Sequence, residues 1–185
     1  MARPIQNVPL TVTVSMPAPS PLAKMPKTQV SQVLREVGEN AIALNAFEME
    51  KRKLKPYFKD FNPQQVTPER LNKLGMILFK SGFIDNHTAE LMSRVGDEFD
   101  NKGKVLNPDR EVNALDFLAT RILEMKDKAA WGDPYAKTLL PDYIRTIHIL
   151  KNLEAFGQSG DSYGMQKIKS QEKQGLAPPK PHAKG

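Results

Sequence analysis

The chain contains no cysteine in 185 residues. That removes disulfides, thiolate nucleophiles and cysteine-ligated zinc from its chemistry. No run of about 18 apolar residues occurs, so no membrane span is expected. No secretory h-region is read at the N-terminus, because Pro4, Pro9 and Pro17 interrupt the stretch after Arg3. Both phosphate-cradling patterns, Gly-x-x-x-x-Gly-Lys and Gly-x-Gly-x-x-Gly, are missing. Histidine is scarce. His87, His148 and His182 show no zincin-type spacing and no Gly-x-Ser-x-Gly partner. These absences lead to the expectation of a cytoplasmic, cofactor-free protein, although export by a signal-independent route leaves no mark of this kind.

The formal net charge of +6 is unevenly placed. Residues 1–27 and 157–185 each carry a net +3, residues 28–66 a net +1 and residues 67–156 a net −1. A near-neutral middle with basic ends does not resemble a domain built around one positive face.

What is present is helical punctuation. Thr67-Pro68-Glu69, Asn107-Pro108-Asp109 and Asp133-Pro134-Tyr135 each set a capping side chain before a proline, and Leu140-Pro141-Asp142 is a weaker version. Proline suits the first helical position, where its missing N–H has no intrahelical partner. The spacing predicts a helix from Pro68 to about Ser81, with Leu71, Leu74, Ile77 and Leu78 inward and Gly82 as its left-handed stop. A short helix capped by Asp85 or Asn86 follows, with Ala89, Met92 and Val95 as its stripe. Asn107 is expected to cap a helix from Pro108 to about Lys128, carrying Leu115, Leu118, Ile122 and Met125. The final helix holds Tyr143, Ile147, Leu150, Leu153 and Phe156 and ends at Gly157. Pro141 either starts it or kinks it after a short turn from Pro134.

From Thr28 to about Lys55 the pattern is that of an amphipathic helix. Val30, Val33, Val37, Leu44 and Phe47 fall on a heptad seam, with Asn40 in the remaining slot. Packing on the chain's own domain is the plainer reading of so short a run. The expected fold is therefore all-α: a small bundle of four to five helices. Its folded unit is residues 67–156, preceded by an amphipathic helix and linker at 28–66. Disordered tails flank it, proline-rich at 1–27 and rich in Lys, Gly and Pro at 157–185. Removing residues 1–55 is expected to leave a folded domain.

Other patterns are weighed against plain explanations. Leu10, Val12, Val14 and Met16 alternate with Thr11, Thr13 and Ser15, which suits a strand added to the sheet edge of another protein; chance alternation in a tail is the plainer reading. Asp97, Glu98, Asp100, Gly103 and Asp109 suggest a calcium loop, but Lys102 falls on a ligand position and Asp109 replaces the bidentate Glu. A solvated turn fits better. Lys51, Arg52, Lys53 and Lys55, followed by Tyr57, Phe58 and Phe61, form a basic and aromatic patch, diluted by Glu48, Glu50 and Asp60. Basic residues at a helix C-terminus also complement its dipole.

Lys73 to Asp85, with Leu74-Gly75 and Gly82-Phe83-Ile84, resembles the Leu-Gly-x-x-Leu…Gly-x-Ile motif of the MshEN domain of bacterial secretion and pilus ATPases. That family binds cyclic di-GMP through two tandem copies. One copy is found here, and no ligand or residue role is carried over from it.

The function expected from these features is that of a non-enzymatic helical interaction protein: an adaptor, a chaperone-like factor or an accessory subunit. The expected partner is a protein, held through the seam Val30, Val33, Val37, Asn40, Leu44 and Phe47 or through the strand-like tail. The alternative is nucleic acid or an anionic surface, held through the basic tails and Lys51, Arg52, Lys53, Lys55 and Tyr57.

Overall fold

The computed structural model describes residues 26–96, 98–99, 105–159, 170 and 174–175. The alternating segment from Leu10 to Met16, His182, and Asp97, Asp100 and Gly103 of the acidic turn lie outside them, as do most of the two tails.

Among the described residues the fold is all-α, with seven helices: α1 (Lys27–Val37), α2 (Ala46–Lys51), α3 (Lys55–Phe58), α4 (Pro68–Lys80), α5 (Asn86–Ser93), α6 (Ala114–Ala130) and α7 (Pro134–Ser159). Two short strands, β1 (Glu98–Phe99) and β2 (Val105–Leu106), form an antiparallel ladder with Glu98 opposite Leu106. None of the described helices is long and apolar enough to cross a membrane.

Seven helices replace the expected four to five: residues 28–55 break into α1 and α2, and α3 forms where the linker was expected to begin. Gly38 takes φ +62°, a conformation that suits glycine, and α1 stops there. Asn40 then turns the chain: its Oδ1 accepts from the Ile42 N–H at 3.2 Å and its carbonyl accepts from the Ala43 N–H. Asn45 caps α2 by accepting from the Glu48 N–H at 3.0 Å. The α2 helix ends on Lys53 at φ +56°, with the Leu54 N–H reaching back to the Met49 carbonyl. Counting heptads through Gly38 and Asn40 therefore fails, and the seam does not exist as a single helical face.

The other elements follow the local code except at Asn107, at Pro141 and at Gly157. Thr67 caps α4 through its Oγ1, Gly82 closes it at φ +75°, and Asp85 caps α5. Asp133 caps α7, accepting from the amides of Tyr135 and Ala136. Asn107-Pro108, however, is a turn: Asn107 sits at φ +54° and its carbonyl accepts from the Arg110 N–H. Val112 next exchanges both backbone bonds with Val66, and only then does Asn113 cap α6. Pro141 neither starts nor ends a helix but lies inside α7.

One core serves all these helices. The α6–α7 hairpin is its largest contact, α4 pairs with α5, α1 lies on α6, and α3 and α5 lie on α7. Val30, Val33, Leu44, Met49, Leu54, Phe58 and Phe61 belong to the same buried cluster as Leu71, Leu118, Ile147 and Phe156. The unit that packs together thus begins at α1 rather than at Thr67, and removal of residues 1–55 would cut into its interior.

Gly157 does not end α7. It lies buried inside the helix where α3 crosses, and a Cβ there would come within 2.1 Å of the Phe58 carbonyl oxygen. Beside it, the Phe58 and Phe156 rings meet edge to face, 6.0 Å between centroids. Gly157→Ala must push α3 away from α7, because the obstructing atom is backbone. Overpacking of this kind costs about 1–3 kcal/mol. The expected result is a clear loss of stability in urea titrations. Gly75→Ala is the control, since its added Cβ would sit 3.4 Å from the Ala89 carbonyl oxygen and should cost little.

Candidate functional site

The chain between α1 and α2 leaves helical backbone groups that need partners, and α7 provides them. The His148 Nε2 lies 2.9 Å from the Val37 carbonyl oxygen, the Lys151 Nζ donates to the Gly38 carbonyl at 2.7 Å, and the Asn152 Nδ2 donates to the Asn40 carbonyl at 2.9 Å. A carbonyl can only accept, so His148 carries its proton on Nε2. Asn152 is fully buried, and burial pushes the Lys151 ammonium below its ordinary range. These bonds fasten residues 38–45 to α7 as a fixed loop.

The loop and α7 together bound an open groove of about 580 Å³. Asn40, Ile42, Ala43, Leu140, Pro141, Ile144 and His148 line it, with Lys137 and Arg145 at hand. Ile42 is 90% exposed. Arg145 bonds Asp85 at 3.0 Å across the α5–α7 junction. Burial pushes the Asp85 carboxyl up, but the Thr88 backbone and side chain and the Arg145 charge together bring it below its ordinary value. On the same junction the His87 Nε2 stands 3.4 Å from an Asp142 carboxylate oxygen.

The residues expected to hold a protein partner are dispersed. Val30, Val33 and Leu44 are in the core, Val37 is half-buried, and Asn40 is exposed at the loop turn. Only Phe47 is a large apolar member left in water, at 71% exposure, with the Lys51 ammonium 4.8 Å from its ring centroid. The basic patch is split as well. Glu48 engages both Lys51 and Arg52, and Arg52 also donates to the Ser81 carbonyl and stacks over Phe83. Phe58 and Phe61 are buried, while Lys53 and Tyr57 are exposed and Lys55 is half-buried. Sequence reasoning missed the groove. Its wall residues Leu140 and Ile144 are two of many apolar side chains on α7, and Ile42 sits in an apolar run, Ala41 to Leu44, that gives no sign of facing water.

Two outcomes follow from this geometry. Asn152→Ala removes a buried donor from the Asn40 carbonyl, which keeps the Ala43 N–H, at a cost of about 0.5–1.5 kcal/mol. Hydrogen exchange of the amides in residues 38–45 should accelerate, while α4 and α5 keep their protection. Glu154, on α7, carries a pH dependence. Burial alone pushes its carboxyl above the ordinary value of 4.5. The folded state then holds a proton that the unfolded chain releases, so stability is highest below that ordinary value and falls as pH rises through the folded one. Glu154→Gln should melt above the parent at pH 7, with the advantage gone at about pH 3.5.

Comparison with family models, with curated proteins and with solved structures gave no match, so the resemblance of Lys73 to Asp85 to the MshEN motif gains nothing from it and the groove is read on its own chemistry.

Proposed function

We propose that the chain is a non-enzymatic helical interaction protein, an adaptor or accessory subunit that holds a protein partner. The observation that carries this reading is Ile42. Burying an isoleucine side chain is worth about 1.5–3 kcal/mol. A loop fastened by three α7 side chains nevertheless keeps Ile42 90% exposed, beside the apolar flanks of Leu140, Pro141 and Ile144. That stabilisation is available to whatever covers the groove. Phe47 and Trp131 are further large side chains in water. The partner surface proposed here is thus the loop and α7, in place of the seam.

The second reading, an anionic surface or nucleic acid at Lys53, Lys55 and Tyr57, is supported by the exposure of Lys53 and Tyr57. One experiment separates the two. A photo-reactive side chain replaces Ile42, Tyr57 or, as a control on the exposed face of α4, Lys73, and adducts are collected from cells. A protein adduct at position 42, absent at 73, is the expected result. Nucleic-acid adducts at position 57 with none at 42 would favour the second reading, and no adduct at either position would defeat both.

A further inference from the structure

We infer that the groove beside Ile42 takes a linear peptide segment whose apolar side chains sit next to carboxylates. The inference rests on the interaction reading and names the chemistry of the partner.

Five lining residues, Ile42, Ala43, Leu140, Pro141 and Ile144, are apolar, and the charged ones, Lys137 and Arg145, are both cations; no carboxylate lines the groove among the described residues. Lys137 is exposed and makes no ion pair among the described residues. Arg145 gives one terminal nitrogen to Asp85, which holds the guanidinium in place beside the groove. An acidic side chain entering there meets one unpaired cation and one pre-positioned cation. Charge matching of this kind selects the partner and fixes its register more than it adds affinity. The apolar flank supplies the affinity.

Pro141 adds a third feature. It has no N–H, so the Lys137 carbonyl lacks the donor that the fourth residue onward would normally give it. Lys137 and Pro141 both line the groove, so its wall includes a turn of α7 without the usual bond between them. The chain's own tails fit less well, because residues 1–27 and 157–185 each carry a net +3 and would bring cations to cations.

The test is selection from a random linear peptide library displayed on phage, against the whole chain, in parallel on the parent, Ile42→Asp and Lys137→Glu. Both positions are exposed, and circular dichroism confirms that the variants fold. The parent should enrich peptides that pair apolar residues with Asp or Glu. Ile42→Asp should lower their recovery about tenfold, the worth of one apolar contact, and Lys137→Glu should shift the enriched pool away from acids. Four outcomes overturn the proposal. These are no enrichment, a pool indifferent to both variants, a pool matching the chain's own Leu10 to Met16, or a parent dimer that Ile42→Asp turns into a monomer. If recovery fails here while a protein still crosslinks at position 42, the groove's chemistry is wrong and the interaction reading stands.

Discussion

A chain that leaves a helix must place the carbonyls it frees, and in this protein one later helix answers for three of those after α1. Val37, Gly38 and Asn40 point their oxygens at His148, Lys151 and Asn152, which sit within about one turn of α7. That is why residues 38–45 hold a single course without secondary structure of their own. The same face of the molecule gains its groove as a by-product: a loop fixed at its root stands away from the helix at its tip. Replacing those donors with apolar side chains would fill the interior equally well and leave the loop without a defined path.

The polar joints divide into two kinds. Those within the core, such as Arg121 with Glu124 at 2.8 Å, lie between neighbours one turn apart on α6 and settle a local side-chain arrangement. Those that join separate elements do more. Arg145 with Asp85 ties α7 to α5, Lys126 with Glu36 ties α6 to α1, and Arg70 with the Lys59 carbonyl ties α4 to the segment after α3. The exposed ones among them add little to stability. They matter by selecting one packing of short helices over others that would bury similar apolar area.

Where the sequence was legible, several local signals agreed. The α4–α5 pair combined Thr67-Pro68, an apolar stripe, Gly82 and Asp85, and each took its expected place. Where the signals were of one kind, the reading failed. Heptad spacing alone ran through Gly38, and a cap-plus-proline alone chose Asn107 over Asn113. The second choice was decided by the Val66–Val112 bridge, a pairing across 46 residues that no local window contains. The loop anchors were hidden for the same reason, since each bond spans more than 110 residues. Exposure of Ile42 has no local signature at all, because an apolar residue between Ala41 and Ala43 looks the same whether it turns in or out.

The position of α7 in the chain has a consequence for how the protein is made. It contacts α3, α5, α6 and the loop after α1, yet it is the last of the seven described helices to be synthesised. Until residues 134–159 leave the ribosome, the apolar faces of Phe58, Met92 and Leu118 have no lid, and the carbonyls after α1 have only water. Folding of this unit is therefore held back until α7 has been synthesised, and the nascent chain presents an apolar half-core during that interval.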